Sequence, residues 1–441
     1  MSRIGAWMVL RSGSPAPLRE VDRVARERGL DPRDRGLMRH LVGCEVRRRA
    51  TLRALVAHFA RGKPSADMAA HLRLGLAQLF LLDQVPPHAA VSETVDAASR
   101  TLGQSKGRYV NGVLRSALRA RREGHCGDPR QDIPGRPWHM AEPVFRDPVE
   151  HPLLWAEDTL SIPAALQKRW IKRHGEERAR ELALAALDEP RLSLRAVGIP
   201  REQLIAELVA AGLPEPMPGR HPDILLLAPD AGPALFESAA FQEGRLAPQG
   251  ETALRAAELL EAQGGERILE LCAAPGGKTA FLAGRGARVT ALDLNPRRLA
   301  RLPGGLERLE LSASCVASDG ARALAPGAAF DGVLVDVPCS NTGVLSARPG
   351  ARWRFGPQSQ ASLKELGARL LEEASEHVRP GGRLVYSTCS IEPEENERQV
   401  AAFLEKHQDW SVEAQATHLP DAGPAGPVDG GHASRLRRAT R

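Results

Sequence analysis

The stretch LELCAAPGGKTAFLA (269–283) takes an apolar run through a Gly/Pro-rich turn into the start of a helix. A strand feeding a glycine turn and then a helix is the opening of a nucleotide-type site, in which bare backbone approaches a ligand. Working outward, the same alternation continues. ERILELCA (266–273), ARVTALDL (287–294), SCVAS (314–318), FDGVLVDV (330–337) and GRLVYSTC (382–389) read as strands, separated by helical stretches such as SQASLKELGARLLEEASEHV (359–378). Parallel strands need helical crossovers, so the pattern predicts an α/β, Rossmann-like, doubly wound parallel sheet. Ligands in such folds sit beyond the carboxyl ends of the strands. Asp293, Asp319, Asp336, Cys339 and Cys389 each fall at or just after a strand end, which predicts one shared rim.

Two ligands compete for the turn. CAAPGGKT ends in the Gly-Lys-Thr of a P-loop, and GVLVD imitates the acidic strand that helps hold magnesium, so an NTPase is a rival reading. Cys272 stands at the first glycine position, however, and Pro275 removes a backbone N–H from a loop that would cradle phosphates with such groups. A ligand with an adenosine but no triphosphate fits better, with Asp293 placed to accept from ribose hydroxyls.

The remaining chain sets the context. At 441 residues it is long enough for two or three domains. Sixty Lys and Arg against 54 acids, a net charge of +6, mildly favour a polyanionic partner such as nucleic acid. No run is long enough to cross a membrane and no leader pattern is present, which predicts a cytoplasmic protein without a membrane partner. Six scattered cysteines, with no CxxC pair, argue against both a disulfide framework and a zinc site, and no metal is expected. Helical apolar spacing in RDRGLMRHLVGCEVRRRATLRALVAHFA (33–60) and DMAAHLRLGLAQLFLLDQV (67–85) predicts an all-α bundle at the front, closed by the linker-like GHCGDPRQDIPGRPWH (124–139). That linker suggests that a cut near residue 140 leaves a folded catalytic part. RLSLRAV (191–197) and DILLLAP (223–229) suggest a small α+β middle module.

LCAAPGGKT (271–279), ALDLN (291–295), SDG (318–320), DVPCSNTG (336–343) and YSTCSIEPEEN (386–396), in this order, resemble the Sun (Fmu) family of RNA cytosine-C5 methyltransferases. At the front, PPHAAVSETVDAA (86–98) and KGRYVNGVLR (106–115) are similar to the NusB-like RNA-binding domain of its RsmB type, which modifies 16S ribosomal RNA. The resemblance implies a NusB-like domain over 1–135, a small RNA-binding or linker module over 145–245 and a methyltransferase domain over 246–441. It implies S-adenosyl-L-methionine as cofactor and small-subunit ribosomal RNA as partner. Cys272, Ala273, Ala274, Pro275, Gly276, Gly277 and Lys278 would wrap the methionine end of the cofactor, Asp293 its ribose and Asp319 its adenine, with Asp336 at the same site.

Read alone, Cys389 is either a small buried hydrophobe or a nucleophile. Cytosine C5 is a weak nucleophile until a thiolate adds at C6, so a cysteine at this rim has a chemical use. The resemblance makes Cys389 that nucleophile, gives product release to Cys339 and contact with ring nitrogen N3 to Asp336. Glu392, Glu394 and Glu395 read as the acidic start of a helix behind Pro393. SARPGARWRFGP (346–357) leaves two readings open: Arg348, Arg352, Arg354 and Trp353 contact unpaired RNA, or Trp353 packs a loop. A noncatalytic RNA-binding assembly factor with the same fold is the second rival.

Overall fold

The computed structural model describes every residue except Pro326, Pro424, Ala425 and Arg441. The backbone divides into two compact units, Met1–Asp188 with Arg348–Phe355, and Glu189–Ala347 with Gly356–Arg441.

The first unit is helical. Its helices start where local chemistry allows. Asp31 accepts from the backbone of Asp34 ahead of Pro32–Arg47, and Ser65 accepts from Met68 ahead of Ala66–Leu81. Apolar faces from Arg49–Phe59, Ala66–Leu81 and Gln104–Ala120 meet through Leu52, Leu55, Leu72, Leu76, Phe80 and Leu114, all essentially buried. The 124–139 segment is knit tightly here: Asp132 accepts the N–H groups of Cys126 and Gly127 at 2.9 and 3.0 Å. His139 joins Cys126 and Asp132 there, and possible ligand atoms of the three lie within 4.8 Å of one another, a cluster invisible in the sequence spacing.

The segment Arg348–Phe355 completes this unit. Arg352 is fully buried and donates to the carbonyls of Arg47, Ser161 and Ala186 at 3.3, 3.2 and 2.7 Å. Trp353 donates its Nε1–H to the Val46 carbonyl at 2.8 Å and packs against the apolar cluster around Met38 and Val42. Of the two readings of this stretch, packing accounts for Trp353, and Arg352 is committed to carbonyls rather than open to phosphates.

The second unit holds a four-stranded antiparallel sheet in the order Met217–Pro218, Ile224–Leu227, Leu192–Ala196, Leu246–Pro248. Its larger sheet has seven strands: β1 (Arg267–Leu271), β2 (Arg288–Asp293), β3 (Ser314–Ala317), β4 (Phe330–Asp336), β5 (Val378–Thr388), β6 (Trp410–His418) and β7 (Gly431–Arg438). The order is β6-β7-β5-β4-β1-β2-β3. The five strands read from the sequence pair in parallel, while β7 inserts antiparallel between β5 and β6, so the sheet is mixed. β6 escapes sequence detection because it is an edge strand whose side chains are mostly exposed and carry no apolar run. The helices α1 (Gly277–Gly284), α2 (Pro357–Glu376) and α3 (Glu397–Leu404) follow β1, precede β5 and follow β5.

The chain leaves β1 toward β2 and β3 and later returns to β1's other side with β4. That reversal opens a crevice at the carboxyl ends of β1 and β4.

Candidate active site

The turn after β1 fills this crevice. Cys272 adopts φ +59° and Gly276 φ +106°, and Ala274–Pro275 is cis. A Cβ on Gly276 would stand 2.7 Å from Leu302 Cγ, so only glycine keeps the turn this close to its neighbour. Asp293, 4% exposed at the end of β2, clamps the turn: it accepts the Ala274 N–H at 3.0 Å and the Asn295 N–H at 2.8 Å. Each carboxylate oxygen has a second lone pair, leaving acceptor capacity for a ligand hydroxyl. Burial, with the charges of Asp336 and Asp293 adding to it, pushes the Cys272 thiol up to about 12, so Cys272 is a neutral lining group.

Lys278 and Thr279 point away from a phosphate role. Burial works against the Lys278 charge, but Asp336 at 2.6 Å outweighs it and holds the lysine pKa above its ordinary value. Thr279 donates to the buried Glu270 at 2.6 Å. In a P-loop the lysine reaches phosphates and the hydroxyl reaches magnesium; both groups are committed inward here. Glu270 was not singled out in the sequence. Burial in mid-strand raises its pKa to about 7, against the stabilising Thr279 bond, and its signal was only an acid inside an apolar strand.

Asp336 ends β4, with its other oxygen accepting from Ser387 of β5 at 2.9 Å. Register pairs Asp336 with Ser387, which brings the segments after the two strands side by side. Cys339 Sγ and Cys389 Sγ lie 3.2 Å apart, and Cys389 Sγ is 3.3 Å from Asn341 Oδ1. The hydrogen bond to Cys389 and then burial raise the Cys339 pKa well above that of a free thiol. Both effects favour the protonated thiol at Cys339, and Cys389 is the less buried of the two sulfurs.

Glu395 holds the Cys339 segment. It accepts from Ser340 N at 3.1 Å and Ser340 Oγ at 2.8 Å, and burial raises its pKa. The acidic stretch thus differs from the helix-start reading. Pro393–Asn396 is a turn, α3 begins at Glu397, and Glu395 faces inward rather than toward a helix N-terminus. Asp319, two residues past β3, is partly exposed and held by Arg369 at 2.8 Å and Arg322 at 3.1 Å; the Arg369 bond lowers its pKa. Of the rim residues, Asp293 clamps the 272–278 turn, Lys278 of that turn bonds Asp336, Asp336 bonds Ser387 two residues before Cys389, and Cys389 touches Cys339, while Asp319 is engaged with α2.

The donor set suits S-adenosylmethionine. Carboxylates at the ends of β2 and β4 match hydroxyl and ammonium donors, and the glycine turn leaves backbone bare beside them.

Comparison with known proteins agrees with this geometry. Residues 257–426 match the family model described as 16S rRNA methyltransferase RsmB/F, and residues 14–119 match the NusB family. The ribosomal RNA small subunit methyltransferase B of Proteus mirabilis is 33% identical over 79% of this chain and 78% of its own length. That of Klebsiella pneumoniae (strain ATCC 700721 / MGH 78578) is 32% identical over 87% of this chain and 85% of its own length. Among solved structures, NSun6 from Pyrococcus horikoshii with SFG shares the fold at TM-score 0.54, with 20% identity, 63% of this chain and 98% of its own covered. No helix among the described residues is long and apolar enough to cross a membrane. This chain therefore belongs to the RsmB/F family of S-adenosylmethionine-dependent 16S ribosomal RNA methyltransferases.

Proposed function

We propose that the enzyme methylates carbon 5 of a cytosine in 16S ribosomal RNA through a covalent cysteine–cytosine intermediate. The observation that carries this reading is the thiol pair, 3.2 Å apart beyond the ends of adjacent strands, with Lys278, bonded to Asp336, within electrostatic reach of Cys389. A single thiol would be unremarkable core; two in contact at the ligand rim divide a labour that pyrimidine methylation requires.

In this reading the residues 272–278 hold the methionine end of the cofactor, Asp293 its ribose and Asp319 its adenine amino group. The bound cofactor supplies an electrophilic methyl on a sulfonium. The Cys389 thiolate adds to cytosine C6, and the electron pair of the C5–C6 double bond becomes available at C5. The Cys339 S–H, kept protonated by its surroundings, donates toward that thiolate. Asp336 contacts N3, whose protonation eases addition. Once C5 carries the new methyl, its proton leaves to a base, the double bond re-forms and the C6–S bond breaks, returning the thiolate. Cys339 assists that release. Residues 1–135 and 145–245 hold the RNA, and 246–441 carry the chemistry.

Cys389→Ala should give neither methylated RNA nor a covalent adduct. Cys339→Ala should accumulate protein bound to methylated RNA, seen as a band that survives denaturing electrophoresis and disappears on ribonuclease treatment. The reverse pattern would exchange the two roles. Full turnover in both variants would reject cysteine catalysis. No methyl transfer from labelled donor to naked or partly assembled small-subunit RNA would favour the noncatalytic reading.

A further inference from the structure

A cleft in the second unit lies against the thiol segment and has no part in the chemistry above. Arg191, Arg220, Glu251 and Asp429 line it, with Leu226 and Val428 as apolar wall. Its relation to the thiols is fixed by backbone. Gly430, next after Asp429, donates its N–H to the Gly343 carbonyl at 2.6 Å, and Gly343 donates to the Cys389 carbonyl at 3.0 Å. A Cβ placed on Gly431 would stand 3.5 Å from Cys389 Cα and 2.8 Å from Thr252 Cγ2, so Gly431 is wedged between the Cys389 turn and Thr252 of the cleft wall.

The lining mixes signs in a way that discriminates between ligands. Arg220 forms an ion pair with Asp421 at 2.7 Å, but both side chains are about half exposed, and such a pair exchanges readily for another anion. Glu251 accepts the backbone N–H of Arg220 at 3.1 Å and pairs with Arg255 at 2.8 Å; Asp429 accepts from the Ser346 hydroxyl at 3.2 Å. A carboxylate offers about four lone-pair sites and accepts several donors at once. A bare phosphate would be opposed by the two carboxylates and a simple cation by the two guanidiniums. A nucleotide satisfies both, with its phosphate on the arginines, its ribose hydroxyl or base N–H groups on the acids, and its ring face on the apolar wall.

We infer that this cleft binds the RNA nucleotide adjoining the target cytosine, so that the neighbour is held while the target enters the thiol site. This rests on the proposed methylation of cytosine in small-subunit RNA. A base presented to Cys389 must be unstacked from its neighbours, and a separate seat for one neighbour favours the splayed strand.

The test uses full-length protein, 16S ribosomal RNA transcribed in vitro and labelled methyl donor, with Arg191→Gln, Arg220→Gln and Glu251→Ala. Each arginine variant should raise the RNA KM about 5- to 20-fold with kcat unchanged, and flatten the logarithmic salt dependence of RNA affinity by about 0.7 for one lost phosphate contact. Arg191→Lys should restore the salt slope. Glu251→Ala should also weaken RNA binding, whereas a plain basic patch would bind RNA more tightly after losing an acid. Unchanged KM and slope in both arginine variants, or tighter RNA binding by Glu251→Ala, would overturn the inference while leaving the methylation reading intact. If the wild type transfers no methyl group, that reading fails separately, and equilibrium binding of the same RNA still decides the cleft: equal affinity in wild type and variants overturns it. Calorimetry with the methyl donor should give unchanged affinity in every variant, showing that the fold is preserved.

Discussion

Replacing Asp293 by Asn tests whether the turn after β1 is held for its ligand by a single buried carboxylate. The carboxylate accepts one N–H on each side, from Ala274 and from Asn295. An Asn side chain of the same shape can offer its oxygen to only one of them. The other backbone N–H then faces an NH2 group and loses a charge-assisted bond. A loss of that kind costs about 1.5 to 3 kcal/mol. If the bound cofactor needs the turn closed and also lends hydroxyl donors to the same carboxylate, the whole of that cost appears in its binding. At about 1.4 kcal/mol per tenfold, donor affinity should fall by roughly 10- to 150-fold. Isothermal titration with S-adenosylmethionine measures this directly, and RNA affinity should barely change. Undiminished donor affinity in a folded Asp293→Asn variant would refute both the clamp and the ribose role.

Arg352→Ala should destabilise the first unit by about 3 kcal/mol or more, because it removes charged donors from three buried carbonyls, and thermal unfolding followed by helical circular dichroism reads the loss. A chain cut near residue 140 should behave worse than the linker-like composition suggests. The cut falls inside the first unit and strips Arg352 and Trp353 of Arg47 and Val46, so that fragment should aggregate on size-exclusion chromatography. Glu270→Gln should alter the pH dependence of stability. Burial raises this carboxyl from 4.5 to about 7 in the folded state, so the folded protein holds a proton that the unfolded chain has released. The wild type therefore loses stability as pH rises from about 4.5 to about 7, by up to about 3 kcal/mol. Denaturant unfolding at pH 5 and pH 8 should show the variant gaining relative to wild type at the higher pH; an unchanged difference would place the Glu270 proton elsewhere.

Much of the rim was legible because it follows from local rules. Apolar runs of strand length, glycine where φ is positive, and polar residues at strand ends are encoded within a few neighbours. β1 to β5 and the placement of Asp293, Asp336, Cys339 and Cys389 could therefore be read along the chain. Family resemblance, carried by the same local motifs, supplied the cofactor.

What remained depended on partners distant in sequence. The sequence puts Cys339 and Cys389 50 positions apart, and only the parallel register of β4 with β5 brings their sulfurs into contact, which with burial raises the Cys339 pKa. Glu395 resembles a helix-start acid until Ser340, 55 positions away, turns it inward. Glu270 is one acid in an apolar strand until α1 brings Thr279 over it. Arg352 resembles a surface arginine until Arg47, 305 residues earlier, presents a carbonyl. Composition fixes which groups a residue can bond, but the desolvation that makes a bond obligatory, or moves a proton, exists only once packing has removed the water.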